Sequence, residues 1–141
     1  MLTRIIGAVV VVFGASCAAV TPAAGPPSDE EEQALEVVRK RTEAYNAHDL
    51  ESFIASYDPM VRVYEYPETL LGTGVERMRK IFGPQFADGE GKIEVIRRRA
   101  LEHTVISDEW VTLYGKSEHN IGIYTVRDGR IVEVRLVEPA E

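Results

Sequence analysis

The spacing of apolar residues predicts three helices in the first half of the chain. A capping-box pattern opens the first helix at Ser28, and Asp49 and Thr73 are in position to cap the second and third. Asp58-Pro59 ends the second helix and Gly83-Pro84 the third, because proline does not continue a helix. Each helix carries one apolar face: Leu35, Val38, Thr42 and Tyr45; Leu50, Phe53, Ile54 and Tyr57; and Val75, Met78, Ile81 and Phe82.

Alternation of apolar and polar residues predicts strands in the remainder of the chain. The first runs from Val61 to Tyr66, with Val61, Val63 and Glu65 on one face. Asp128-Gly129 is a strong hairpin signal between two alternating segments. The later strands are expected at about 92–106, 109–117, 119–127 and 130–137. Three helices followed by antiparallel strands predict an α+β fold in which one curved sheet wraps the helices.

The first residues have the layout of a secretory signal peptide. Ile5 to Phe13 is a short apolar run, and small residues follow it as far as Cys17. Residues 1–17 are therefore interpreted as a signal peptide or lipoprotein signal, 18–28 as a flexible proline-rich tether, and 29–141 as one folded domain. Lipidation of Cys17 and its removal by ordinary cleavage both remain open, as does an uncleaved anchor helix. We expect an exported protein, periplasmic or extracellular, that meets a membrane only through its N-terminal signal or lipid anchor.

Charge and motif content exclude several classes of function. The formal net charge is −7, so the chain repels phosphate backbones and nucleic acid is not an expected partner. Cys17 is the single cysteine, so no intramolecular disulfide can form. His48, His103 and His119 are scattered without metal-site spacing, and no P-loop, GxSxG or CxxC motif is present. The sequence therefore indicates no metal and no cofactor.

The segment from Tyr45 to Phe82 carries a family resemblance. It begins Tyr45-Asn46-Ala47-His48-Asp49, passes through Val61-Arg62-Val63-Tyr64-Glu65-Tyr66-Pro67, and reaches Gly72-Thr73-Gly74 before the third helix. This order resembles the SnoaL-like branch of the nuclear-transport-factor-2-like superfamily, which includes ketosteroid isomerases. The resemblance implies a cone-shaped fold that encloses a pocket. Superfamily members include isomerases, dehydratases, cyclases and pure binding domains, so the fold alone selects no activity.

Two carboxylates are the candidate catalytic residues. An ungapped comparison with ketosteroid isomerases places Glu65 at the general-base position, and its register with Val61 and Val63 agrees with an inward direction. The alternatives are a buried Glu65 paired with an arginine, or a Glu65 that faces water. Glu109 shares a strand face with Val111, which would place it in the cavity beside Glu65; alternatively, Asp108-Glu109 forms a charged turn.

Other positions depart from the isomerase pattern. Arg41 and Gly122 stand where the resemblance implies the two oxyanion donors, so it does not support steroid isomerisation by the known mechanism. Arg41 could serve as a cationic substitute for these donors if it points inward, but an arginine on an amphipathic helix is more often solvated. Tyr124 would donate a hydrogen bond to a ligand or to the protein's own core. The expected ligand-binding residues are Val61, Val63, Asn120, Tyr124, Val134 and Leu136.

Two functions stay open at this point. One is an exported domain that binds a small, largely apolar molecule and performs cofactor-free acid–base chemistry of the isomerase, dehydratase or cyclase type. The other is a non-catalytic ligand-binding or dimerisation module at the cell surface. A homodimer formed through the outer sheet face, where Trp110 and Tyr114 lie, is expected in both cases.

Overall fold

The structure is a computed structural model that describes residues 25–138. The predictions for the signal peptide, for Cys17 and for most of the tether concern residues outside the described range. The described part contains three helices and six strands: α1 (Asp29–Asn46), α2 (Leu50–Ala55), β1 (Tyr57–Glu65), β2 (Thr69–Thr73), α3 (Val75–Ala87), β3 (Lys92–Leu101), β4 (Thr104–Leu113), β5 (Lys116–Arg127) and β6 (Arg130–Val137). None of the helices in this range is long and apolar enough to cross a membrane.

One curved six-stranded sheet holds the helices on its inner face, which confirms the predicted α+β architecture. The strand order is β2-β1-β6-β5-β4-β3, and only the β1–β6 pair is parallel. The core lies between the helices and the inner sheet face, where α1 contributes Val38, α2 contributes Phe53 and β5 contributes Tyr124. These three side chains are almost completely buried, so solvent does not reach them between the helices and the sheet.

Helix α1 begins as the sequence predicts. The Ser28 side chain accepts a hydrogen bond from the Glu31 N–H at 3.3 Å, and the Glu31 carboxylate accepts one from the Ser28 N–H at 2.8 Å. Both bonds satisfy amides that have no partner inside the helix. Of the residues on the buried side of α1, Arg41 and Thr42 are polar.

Tertiary packing overrides several local signals. Helix α3 is preceded by Gly74, not capped by Thr73, and it continues through Gly83-Pro84 to Ala87. Its last turn places the Phe86 ring 5.4 Å from the Tyr45 ring and 5.1 Å from the Phe53 ring. Burial of this aromatic side chain offsets the backbone hydrogen bond that Pro84 cannot make.

The strand boundaries also differ from the prediction. Tyr57 opens β1 instead of closing α2, and the short β2 was not predicted. The turn between β3 and β4 falls at Glu102-His103, so the polar run Ser107-Asp108-Glu109 lies inside a strand. The hypothesis that Asp108-Glu109 forms a turn is therefore wrong. A strand accommodates this run because Ser107 and Glu109 point inward to polar partners.

The outer sheet face carries exposed apolar side chains. Trp110 is 44 % exposed, as its register predicts, and Ile106 is also exposed. Tyr114, which was expected on this face, lies in the turn after β4, where its hydroxyl donates to Asp88 at 2.7 Å, so that expectation is wrong. The ring of Trp110 lies 5.1 Å from that of His119, whose Nε2 is 2.5 Å from an Asp108 oxygen. His119 therefore faces this outer surface. The homodimer expected through this face stays a prediction.

The cap of α1 gives a direct test of helix stability. Replacing Ser28 with alanine removes a side-chain acceptor from the first turn, which lowers the free energy of unfolding by about 1 kcal/mol. Urea denaturation of the two proteins measures the difference. Gln33→Ala, an exposed change on the same helix, serves as the control and leaves stability nearly unchanged. Equal stability of Ser28→Ala and wild type would show that the capping box contributes nothing.

Candidate active site and adjoining cleft

Side chains on the inner face of β5 change from buried to exposed along the strand. Tyr124 is fully buried, Gly122 follows, Asn120 is half-buried, and Glu118 is exposed. A Cβ atom at Gly122 would lie 2.5 Å from the Tyr124 hydroxyl oxygen, so the absent side chain leaves room for the tyrosine ring. The helices and sheet therefore open toward the Glu118 end of β5.

A buried ionic cluster lies beneath α1 and is centred on Glu109 of β4, which is 3 % exposed. One carboxylate oxygen lies 3.7 Å from Arg41 Nη1 and accepts a 3.4 Å hydrogen bond from the Tyr124 hydroxyl. The other accepts a 2.8 Å hydrogen bond from Ser107 and lies 3.7 Å from Arg98 Nη2. Both oxygens of Glu109 are thus engaged by groups of the protein itself.

Arg98 connects this cluster to helix α1. Its Nε donates to the Ser107 hydroxyl at 3.0 Å, and its Nη2 donates to Thr42 Oγ1 at 2.8 Å. Thr42 in turn donates to the Val38 carbonyl at 3.0 Å. A chain of hydrogen bonds therefore joins β3 and β4 to the buried face of α1.

Arg41 is 5 % exposed and lies among aromatic rings. Its Nε donates to the Tyr57 hydroxyl at 3.0 Å, and its guanidinium carbon lies 5.2 Å from the centre of the Tyr124 ring and 5.3 Å from that of Phe53. Cation–π attraction and the Glu109 carboxylate compensate this charge for its loss of water. The expectation of a solvated Arg41 is wrong.

Burial shifts the pKa values of this cluster. Loss of water raises the pKa of the Tyr57 and Tyr124 phenols above their usual range, so both hydroxyls stay protonated at pH 7. Burial also lowers the pKa of Arg98, against the pull of Glu109. Burial alone would lower the pKa of Arg41, but Tyr124, Tyr57 and Glu109 outweigh it and the net shift is upward.

An open cleft adjoins the cluster at the mouth of the fold. Its volume is about 560 Å³, and it is lined by Tyr45, Phe82, Gln85, Val111, Leu113, Tyr114, Lys116, Glu118, Asn120 and Glu138. Tyr45 and Asn120 separate the cleft from the ions: the Tyr45 ring lies 5.8 Å from the Arg41 guanidinium carbon, and Asn120 is the cross-strand partner of Glu109. A second groove of about 540 Å³ runs between α1 and α2, on the far side of α1 from this chemistry.

The structure places Glu65 differently from the expectation. By register it lies on the inner face, level with Leu136 and Gly122, but it is the last residue of β1 and its side chain is exposed. The expected placement in an apolar cavity is wrong, because burial along β1 stops at Val63. A catalytic role for Glu65 stays a prediction.

The two candidate carboxylates are not neighbours. Glu65 shares a cross-sheet row with Ser107, three strand spacings away, which is roughly 14 Å along the sheet. Glu109 lies on the same strand as Ser107 but is almost completely buried. The expected pair of carboxylates in one cavity is therefore not formed.

The expected ligand-binding residues fall into two groups. Val61, Val63, Tyr124 and Val134 are buried in the core, where they pack against other side chains, and Leu136 is partly buried beside them. Asn120 lines the cleft. The sequence thus predicted the correct sheet face, but it placed the cavity among residues that fill the core.

Sequence reasoning kept an inward Arg41 only as an alternative and did not identify Arg98 as a site residue. Arg41 follows Val38 by three positions and precedes Tyr45 by four, which places it on the apolar face of α1. Arg98 pairs with Ser107 on the inner side of β3. The helical spacing of Arg41 and the strand alternation of Arg98 were the sequence signals that could have predicted their inward direction. Over residues 25–138, no group of three or more potential His, Cys, Asp or Glu ligands could hold a metal.

Loss of the Glu109 charge is predicted to destabilise the fold strongly. Glu109→Gln keeps the shape of the side chain but leaves the buried Arg41 and the partly buried Arg98 without a counter-charge. Loss of a buried pair costs about 3–5 kcal/mol of unfolding free energy. Chemical denaturation at pH 7 measures this loss.

Glu51→Gln is the matched control, because Glu51 pairs with Arg79 on the surface at 2.5 Å. It is expected to leave the stability almost unchanged, since water screens exposed pairs. A Glu109→Gln variant as stable as this control would show that the buried ion pairs are not required.

Comparisons with known proteins agree with the fold and the sequence pattern. The family described as SnoaL-like domain matches residues 38–134. Comparison with curated protein sequences gives no match.

Several solved structures share the fold at low identity. A candidate ketosteroid isomerase from Kribbella flavida DSM 17836 has a TM-score of 0.68 and 23% identity, over 79% of this chain and 82% of that one. An NTF2-like protein of unknown function from Mesorhizobium loti has a TM-score of 0.69 and 16% identity, over 82% and 98%. An epoxide hydrolase from M. tuberculosis has a TM-score of 0.65 and 16% identity, over 78% and 85%. At these identities the structures show the fold alone, whereas the family match extends over most of the domain, so the chain belongs to the SnoaL-like domain family.

Proposed function

We propose that this SnoaL-like domain binds a small, largely apolar molecule in the cleft between α3 and strands β4 and β5. The observation that carries the proposal is the composition of that cleft. Phe82, Val111 and Leu113 give it apolar walls, and Asn120 supplies a polar group at its floor. A volume of about 560 Å³ is within the range of small-molecule sites, which combine apolar walls with a few polar groups.

The other groove is a weaker candidate for this ligand. Its lining between α1 and α2 consists mainly of small and charged side chains, including Glu36, Lys40, Glu43 and Asp49. Its apolar lining is somewhat smaller than that of the cleft and includes no aromatic side chain, so it offers less apolar area to remove from water, which is the main driving force for binding an apolar molecule.

The geometry favours binding over proton transfer at Glu109. A general base must reach a substrate proton within hydrogen-bond distance. Glu109 is buried behind Asn120 and Tyr45, and its oxygens already interact with Ser107, Tyr124 and two arginines. We therefore interpret Glu109 as a structural counter-ion that holds the cleft floor in place, and the domain as a binding module.

Filling the cleft is predicted to abolish binding of an apolar probe. N-phenyl-1-naphthylamine, a neutral dye that fluoresces in apolar surroundings, serves as the probe. Val111→Trp places an indole in the cleft and is expected to raise the dissociation constant about tenfold, which corresponds to a loss of about 1.4 kcal/mol of binding free energy. Leu113→Trp, nearer the rim, is a second filling variant.

The control is Ala55→Trp, which adds the same side chain to the groove between α1 and α2. It is expected to leave probe binding unchanged, and melting temperatures verify that each variant is folded. Unaltered binding in a folded Val111→Trp protein, or loss of binding in Ala55→Trp, would contradict the assignment of the cleft.

A further inference from the structure

The turn between β4 and β5 contains a residue that its backbone conformation disfavours. Tyr114 and Gly115 form this two-residue turn, and their φ angles are 49° and 78°. Hairpin turns with two positive φ angles favour Asn, Asp or Gly at the first position, because a bulky side chain is disfavoured there. The turn between β5 and β6 has nearly the same φ angles, 49° and 73°, and contains the favoured Asp128-Gly129. Local preference therefore does not explain a tyrosine at position 114.

Two hydrogen bonds fasten Tyr114 to the turn that follows α3. Its hydroxyl donates to Asp88 Oδ2 at 2.7 Å, and its backbone N–H donates to Glu90 Oε2 at 3.1 Å. Residues that distant contacts hold in a disfavoured backbone conformation cluster at ligand clamps and similar functional sites. The contacts of Tyr114 across to this second turn offset the cost of its conformation.

The turn that receives Tyr114 is itself fixed to helix α1. The Asn46 side chain exchanges two hydrogen bonds with the backbone of Ile93, at 2.7 and 2.9 Å. A Cβ atom at Gly91 would lie 2.6 Å from the Tyr45 hydroxyl oxygen, so this turn packs closely against the helix. In the contact between the two turns, the one after α3 is therefore the fixed side and the β4–β5 turn is the side that can move.

Tyr114 crosses the mouth of the cleft. It lines the sheet side of the cleft, whereas Gln85 of α3 lines the helix side. Asp88 directly follows α3, so the bond from the Tyr114 hydroxyl joins the two sides. Strand β5 is exposed at this end, at Glu118, and leads inward to Asn120. A ligand that enters through this end and reaches Asn120 must pass Tyr114.

We propose that Tyr114 is a clasp across the mouth of the cleft, and that its release from Asp88 sets the rate at which a ligand enters and leaves. The clasped form retains a bound molecule, and the released form exchanges it with solvent. This inference rests on the proposed function, because it assigns the access route to the same cleft. A single exposed hydrogen bond contributes little net stability, so the clasp opens readily.

Stopped-flow mixing with N-phenyl-1-naphthylamine measures the association and dissociation rate constants. Tyr114→Phe keeps the ring but removes the donor, so we expect both rate constants to rise about fivefold while the dissociation constant changes less than about twofold. Asp88→Ala removes the acceptor and is expected to give the same acceleration. The double variant is expected to be no faster than either single variant, because both changes break one bond. Tyr66→Phe, at an exposed tyrosine outside the cleft lining, is the control and keeps the wild-type rates.

Tyr114→Asn distinguishes a clasp from a contact that only stabilises the fold. Asparagine suits the positive φ angle, but its side chain is too short to replace the phenol hydroxyl. We expect exchange at least as fast as in Tyr114→Phe, at a melting temperature close to that of the wild type, because the favoured turn residue offsets the lost contact.

The outcomes distinguish this inference from the function beneath it. Wild-type rates in Tyr114→Phe overturn the clasp and leave binding in the cleft standing. A double variant whose acceleration is the product of the two single effects overturns it as well, because the two side chains then act independently. A Tyr114→Asn protein that loses stability but keeps wild-type rates shows a structural contact only and also overturns the clasp. Failure of the probe itself to bind in a Val111-dependent manner contradicts the proposed function and, with it, this inference.

Discussion

The Glu109 carboxylate and the Arg41 guanidinium are buried beneath helix α1 beside the partly buried Arg98, and the inner architecture of the domain depends on the mutual compensation of these charges. Glu109 has 3.7 Å contacts to Arg41 and Arg98, which come from α1 and β3. Each of these charges would be costly alone, because protein interiors solvate ions poorly. Hydrogen bonds from Ser107 and Tyr124 satisfy the rest of the carboxylate, so helix and sheet are connected by directional contacts as well as by apolar packing.

This arrangement also determines where the fold leaves open space. The ionic cluster and the Tyr124 ring fill the space beneath α1, so the cleft lies at the mouth of the fold, between α3 and the open ends of β4 and β5. Arg41 and Gly122 stand where the isomerase resemblance implies oxyanion donors. In this structure Arg41 is a core cation, and Gly122 makes room for Tyr124. The chain therefore keeps the family fold while its interior chemistry differs from that of an isomerase.

The sequence predicted most of the fold, because capping, periodicity and hairpin signals are local. It identified α1 from its capping box and the β5–β6 hairpin from Asp128-Gly129. It failed where tertiary packing decides the outcome: α3 continues past Pro84 because Phe86 is buried, and Ser107-Asp108-Glu109 remains in a strand.

The candidate site was predictable only in part. Register alone placed Glu65 on the inner sheet face, but burial depends on whether another element covers that position, and the pattern of β1 does not contain this information. Asn120 was assigned to the cleft side correctly. For Arg41, a solvated position was preferred over an inward one because of its charge, although its helical position predicts burial. Which charges pair inside a core depends on contacts between distant segments, and single-sequence periodicity does not report them.

A double-mutant cycle on Arg41 and Glu109 measures directly whether their charges depend on one another. The single variants Arg41→Met and Glu109→Gln and the double variant are unfolded by urea at pH 7. If the two charges compensate each other, the double variant is more stable than the sum of the single losses predicts, by roughly 1–3 kcal/mol. Losses that add within about 0.5 kcal/mol would show that Arg41 and Glu109 contribute independently, and would contradict a core organised by their pairing.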